Sequence, residues 1–187
     1  MKQQQEALLL KNICCESIDE FDYQSVNLNK GVTLKFNNKS LIYDFGDGKT
    51  YFSALQIPSN AGTPYISVES YFNGSLIGQY FEPIFLVLNE NYEGIEVFSL
   101  KLRFLDANLF TNPNAHMAGH FQLAEGAKYI IVFTGKFQSK TPIAEIAPST
   151  SMVMIGSTPT VYSNQGDSIK LERSPTGSIK LKLLEID

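Results

Sequence analysis

His116 and His120 are the two histidines of the chain, four residues apart in the stretch His116-Met117-Ala118-Gly119-His120. That spacing puts two imidazoles on one face of a strand, or one turn apart on a helix. An H-E-x-x-H zinc hydrolase needs a glutamate where this chain has Met117, so that chemistry is excluded. A metal site would need a third ligand, for which Asn114 or a distant carboxylate are the only suggestions. No metal or other cofactor is expected, and the pair is expected to be solvated or hydrogen-bonded at a strand entrance. Asp44-Phe45-Gly46-Asp47 carries the letters of the kinase magnesium motif, but no glycine-rich phosphate loop, H-R-D loop or V-A-I-K lysine accompanies it, and it reads as a hairpin turn. Ser53, Ser67 and Ser70 lack a G-x-S-x-G elbow, and Glu69, Glu82, Glu90, Glu93, Glu96 and Asp106 are scattered rather than paired. The chain is therefore expected not to be an enzyme.

Cys14 and Cys15 are adjacent, and there is no third cysteine. Thiolate zinc sites need repeated C-x2-C spacing, which two neighbours do not supply. Consecutive α-carbons lie ~3.8 Å apart, below the ~4.4–6.8 Å usual for a disulfide, and a bridge between neighbours closes almost no chain. Two readings stand at this point: a bridge that makes a rigid local turn, or two thiols of which one is buried. The chain has nine Tyr, thirteen Phe and no Trp. Any stacking of a sugar ring thus falls to tyrosine or phenylalanine. Candidate ligand-binding residues are Tyr71 and Asn73, beside the Asn73-Gly74 turn, and Asn91 and Tyr92, in the loop Asn89 to Gly94.

These side chains must be held by strands. Val32, Leu34 and Phe36 alternate with polar residues, as do Phe98, Leu100, Leu102 and Phe104, and Ile179, Leu181 and Leu183. Such period-two runs predict strands with one wet face. Ile84 to Leu88 and Tyr129 to Phe133 are apolar throughout, which predicts central strands covered on both sides. Gly46-Asp47-Gly48, Asn60-Ala61-Gly62, Asn73-Gly74, Glu125-Gly126 and Asn164 to Asp167 punctuate them, with Asp47-Gly48 and Asn73-Gly74 suited to tight hairpins. Pro142 to Pro159 reads as an irregular surface crossover, with one helical turn around Ile143 to Ile146. The predicted fold is all-β, an antiparallel β-sandwich with a short N-terminal helix. In that helix, over Glu6 to Ile13, Leu9, Leu10 and Ile13 form the face that caps one end. Residues 1–20 thus form a helical cap and Cys-Cys segment, and 21–187 one sandwich domain.

The chain has 187 residues, of which 43% are hydrophobic and 18% charged. That is the apolar mass for a real core and the length of one domain. Its formal net charge of −4 and the absence of a run of Lys and Arg argue against nucleic acid. No apolar run approaches the ~20 residues of a membrane span, so no transmembrane segment is expected. Met1 to Leu10 lacks the ~7–15-residue apolar stretch of a secretory signal, which leaves a cytoplasmic protein or one whose signal is already removed. Oligomeric state is not legible.

Several segments, in order, resemble the maltose operon periplasmic protein (MalM) family. They are Cys14-Cys15-Glu16-Ser17, Thr50 to Pro58 (TYFSALQIP), Pro83 to Asn89 (PIFLVLN), Gly119 to Leu123 (GHFQL) followed by Tyr129 to Thr134 (YIIVFT), and Ser174 to Leu181 (SPTGSIKL). The likeness runs from Cys14 to the end of the chain. It implies a Gram-negative periplasmic protein, with its signal removed, that assists maltose and maltodextrin uptake by binding either the sugar or a protein of the uptake system. The alternative is a cell-envelope interaction or structural module with no sugar affinity. An oxidising periplasm would join Cys14 to Cys15. The family has no established catalytic residues to carry over. Tyr51 to Leu88 is also similar to jelly-roll-like accessory modules of secreted enzymes.

Overall fold

The computed structural model describes residues 8–46, 48–59, 61–73, 79–105, 114–135, 144–145, 149–155, 158–164, 168–169 and 172–184. Seventeen strands follow one another among them: β1 (Tyr23–Ser25), β2 (Gly31–Phe36), β3 (Ile42–Asp44), β4 (Lys49–Gln56), β5 (Tyr65–Asn73), β6 (Gln79–Tyr80), β7 (Ile84–Leu88), β8 (Gly94–Ser99), β9 (Arg103–Leu105), β10 (His116–Gln122), β11 (Tyr129–Phe133), β12 (Ala144–Glu145), β13 (Ser149–Ile155), β14 (Thr158–Asn164), β15 (Ser168–Ile169), β16 (Glu172–Arg173) and β17 (Gly177–Leu184). Two larger sheets collect most of them. The first runs β1-β4-β11-β7-β8, with β3 also on β4, and the second runs β16-β6-β5-β10-β9, with β17 on β5 and β2 on β17. Pairing is antiparallel except β1 with β4 and β16 with β6. The chain is all-β, in two mainly antiparallel sheets.

The period-two pattern decides which side chains are buried. Ile179, Leu181 and Leu183 of β17 are wholly buried while Lys180 and Lys182 between them are not, and Leu34 and Phe36 of β2 repeat the pattern. These join Ile66 and Val68 of β5 in one apolar cluster with Tyr51 and Leu55 of β4, Phe85 and Val87 of β7, and Ile130 and Val132 of β11. One core is thus shared by both sheets, and within it Phe36 stacks on Phe81 with centroids 4.0 Å apart.

β11 is covered on both faces, because its outward residues Ile131 and Phe133 are buried as well. Their cover is an aromatic cluster that includes Phe21, Tyr43, Phe45 and Phe52, with Cys15 and Ile18 from the N-terminal segment. β7 departs from expectation. Its outward Ile84 and Leu86 are only half-buried, since the neighbouring edge strand β8 leaves Val97 63% exposed.

The N-terminal helix is a correction. Helical backbone among the described residues stops at Leu9, and the one named helical element is a 3-10 turn, Ile18–Glu20. Leu8 is the residue that reaches the core, whereas Leu9, Leu10 and Ile13, the expected apolar face, are exposed. Hydrogen bonds from elsewhere hold this segment instead. Lys49 Nζ donates to Leu9 O (3.0 Å) and Lys11 O (2.6 Å), and Cys14 N–H donates to Ile42 O (2.9 Å). A chain whose carbonyls accept from a lysine, and whose Cys14 N–H donates to a strand edge, has no need to satisfy these groups within a helix. Residues 1–7 lie outside the described residues, as do Asp47 and Asn60 of the turn signals and the carboxylate Asp106.

Three further expectations change. Phe98 to Phe104 is not one strand: β8 ends at Ser99 in the first sheet and β9 begins at Arg103 in the second. The crossing chain packs Leu100 and Leu102 against Gly119, where a Cβ would meet Leu100 Cδ2 at 3.0 Å. Asn73-Gly74 does not make a two-residue hairpin, because the β5–β6 ladder already ends at Asn73 opposite Gln79, with 74–78 outside the described residues. Pro142 to Pro159 is not irregular throughout. Ser149–Ile155 pairs with Thr158–Asn164, and the single helical turn is replaced by Ala144–Glu145 paired with Ser168–Ile169. The β-branched content of both hairpin strands outweighed the Pro, Ser and Thr signal.

Candidate functional site

The sequence-predicted ligand residues fall on two different sheets. Tyr71 and Asn73 belong to β5, Tyr71 within the strand rather than in a turn and Asn73 at its last position, while Asn91 and Tyr92 lie in the loop between β7 and β8. The structure does not bring the two pairs together.

The β7–β8 loop is built around Asn89. Its Oδ1 accepts the N–H groups of Asn91 (2.9 Å) and Glu93 (3.0 Å), and its Nδ2 donates to Glu93 Oε2 (2.8 Å). Tyr92 N–H donates to Asn89 O, and Tyr92 takes a φ of 61°. A bulky residue in the left-handed region is unfavourable by itself, so something must hold it there. The ring does so. Tyr92 stacks on Tyr129 with centroids 4.6 Å apart and planes 9° apart, and Tyr129 packs on Tyr23 at 4.5 Å. Tyr23 in turn donates its hydroxyl to Ile18 O at 2.8 Å. The three half-buried rings form a platform on the outer face of the first sheet, with Asn91 and Glu90 exposed at its rim.

The chemistry of this platform is that of neutral phenols. Burial raises Tyr23 above the ordinary phenol range, reinforced by Tyr92 and Tyr129, and a hydrogen bond with Tyr92 raises Tyr129. Neither supplies a phenolate base at neutral pH. The rings are too close together to admit a cation between them, because a caged cation needs a ring face within ~6 Å on each side. What remains is a rigid apolar surface edged by hydroxyl, amide and carboxylate groups, which suits a sugar ring: one face stacks and the hydroxyls find donors and acceptors.

Burial also raises Tyr80, so three tyrosines titrate late. A phenol raised in the folded state adds stability that is full below its unfolded value of about 10 and is lost as pH rises through the folded one. Phenolate absorbance is therefore expected to rise in two stages, the second coinciding with loss of near-ultraviolet circular dichroism. A single stage near pH ~10 with the fold intact would remove these packed tyrosines from the account.

Cys14 and Cys15 are disulfide-bonded in the structure, with Cα atoms 3.8 Å apart, Cys14 exposed and Cys15 packed into the aromatic cluster. His116 and His120 both lie on the outer face of β10, opposite Tyr71 and Ser67 of β5. Four residues of strand separate them by roughly 13 Å, too far to share a metal ion. His116 is buried, with Nδ1 2.9 Å from Asn114 O, and His120 is exposed. Among the described residues no group of three or more His, Cys, Asp or Glu converges on one point. Asp44 Oδ1 accepts the N–H groups of Gly46 and Gly48, which makes it the turn residue it reads as.

Two features escaped the sequence. Arg173 and Glu82 form a largely buried ion pair 91 positions apart, in which Arg173 Nε has no aligned hydrogen-bond acceptor among the described residues. Basic residues scattered along the chain also gather on one sheet face, a correction to their apparent dispersal: Lys35, Arg103, Lys180 and Lys182 all point outward from the second sheet. Its signal was present in the Lys180, Lys182 alternation, but the other two residues come from distant strands. Among the described residues no helix is long and apolar enough to cross a membrane. Compared with known proteins, the chain matches no family model, no curated protein and no solved structure.

Proposed function

We propose that this chain is a non-enzymatic accessory protein of the Gram-negative periplasm that serves maltodextrin uptake. In this reading its two sheets form an antiparallel, jelly-roll-like β-sandwich, and the Tyr23–Tyr92–Tyr129 platform takes a neutral sugar. The maltodextrin assignment rests on the family likeness of the sequence. The observation that carries sugar binding is the platform itself: Tyr92 is held at positive φ by a network centred on Asn89 and stacked on Tyr129. A prearranged ring lowers the ordering cost of binding. With no Trp and only one or two ring faces to offer, affinity is expected to be weak, on the order of millimolar.

Titrating maltose through maltoheptaose while following amide chemical shifts tests this. Shifts centred on Tyr92, Tyr129 and Asn91, reduced at least several-fold in affinity by Tyr92→Ala, are expected. No shift at millimolar sugar would remove the sugar and leave a protein of the uptake system, or of the envelope at large, as the partner.

A further inference from the structure

We propose that the outer face of the seven-stranded sheet docks on an anionic lipid bilayer. This goes beyond the sugar reading and uses the opposite sheet, so either can fail alone. Across the neighbouring strands β2, β17, β5, β10 and β9, the register brings Lys35, Lys180, Lys182 and Arg103 to one face, against Glu69 as the described carboxylate there. Across these five strands four cations and one anion leave three net positive charges, which Glu172 of the edge strand β16, on the same face by register through Gln79 and Asn73, lowers to two; in a chain whose formal net charge is −4 the rest then carries −6. Lys180 lies 3.7 Å from Glu69. Lys35, Lys182 and Arg103 have no carboxylate partner among the described residues.

The arrangement distinguishes among anionic partners. Lys180 and Lys182 sit two positions apart on one strand. That step is roughly 7 Å along a strand. Arg103 lies three strands from Lys180. Three spacings amount to roughly 14 Å. Charges spread so widely cannot converge on a single phosphate or carboxylate. They fit a surface on which anions are themselves spread, and a sheet face is broad enough to meet it. The apolar residues among the cations point the same way. Tyr65 is 38% and Leu105 47% exposed on this face. Tyrosine and leucine interspersed with Lys and Arg is the composition of segments that rest at the boundary between headgroups and acyl chains. An acidic polysaccharide would be met by the cations but would leave Leu105 without purpose.

Co-sedimentation of the full chain with vesicles tests the proposal. At low ionic strength the protein is expected to bind vesicles of phosphatidylglycerol in phosphatidylcholine, not phosphatidylcholine alone, and to be released by salt. Lys35→Gln with Lys182→Gln should weaken binding by about 30-fold, and Arg103→Gln alone by about fivefold, while Lys128→Gln, at the far Ser59 contact, leaves it unchanged. Unaltered thermal unfolding of the variants separates a lost contact from a lost fold. No binding to the anionic vesicles, equal binding to both kinds, or indifference to all three face substitutions would overturn the proposal. Tighter binding to polygalacturonate than to the vesicles would overturn it in favour of an acidic polysaccharide.

Discussion

Replacing Ile131 by alanine is expected to cost about 2–5 kcal/mol of unfolding free energy, read from urea denaturation with an unchanged slope. Ile131 is 0% exposed although it points away from the core shared by the two sheets. It lies between Ala54 of β4 and Leu86 of β7, under the aromatic cluster that the N-terminal segment completes. Deleting its outer carbons opens a cavity beneath a layer pinned by hydrogen bonds to Lys49 and to Ile42, which restricts collapse into the space. Leu86→Ala, one strand across, should cost clearly less, because its side chain is already half in water. A loss under about 1 kcal/mol at Ile131 would mean that the outer layer does not cover β11.

Removing the guanidinium of Arg173 should destabilise the fold by about 1–3 kcal/mol at neutral pH, and by less in acid. Burial raises the carboxyl of Glu82 above its ordinary range, even though Arg173 beside it pulls the other way. A carboxyl raised in the folded state contributes stability that is full below its unfolded value and is lost as pH rises through the folded one. Without Arg173 that rise is larger, so the penalty of Arg173→Ala grows as pH increases from about 4.5. The guanidinium side chain is 34% exposed. Water reaching it tempers the magnitude. Adding Glu82→Gln should recover much of the loss at neutral pH and flatten its pH dependence. A penalty independent of pH, or made worse by Glu82→Gln, would show that Arg173 acts through packing rather than charge.

Local pattern carried the strands well and the chain's long-range geometry poorly. β2, β11 and β17 follow from period two or from an unbroken apolar run, because burial on one or both faces imposes those patterns directly. The N-terminal helix failed for a different reason. Leu9, Leu10 and Ile13 have helical spacing, yet Lys49 from a strand 40 residues away claims the Leu9 carbonyl. Phe98 to Phe104 alternates as one strand would, but the requirement that Leu100 and Leu102 face inward persists while the chain changes sheets. Alternation therefore reported burial and not strand continuity.

The candidate site divides along the same line. Tyr92 was legible as an aromatic in a polar loop, whereas the role of Asn89 in folding that loop around its side chain emerges only from the hydrogen bonds. Tyr23 and Tyr129 were not legible as its partners, since the three rings come from positions separated by 69 and 37 residues and meet only when β1, β4, β11 and β7 pair. Tyr71, beside Asn73-Gly74 in the sequence, sits on the other sheet, hydrogen-bonded to Glu69 and tilted against His116 at 5.7 Å. The cationic face shows the limit most clearly. Lys35, Arg103 and Lys182 are far apart in sequence, and only the antiparallel register of five strands gathers them.

A crystal structure of the chain grown with maltoheptaose tests the central claim most directly. The account predicts a glucosyl ring laid against the outer face of Tyr92, with hydroxyls in hydrogen-bonding reach of Asn91 and Glu90 and the Tyr92–Tyr129 stack unchanged. Sugar bound on another surface with the tyrosine platform bare, or no bound sugar at saturating concentration, would contradict it.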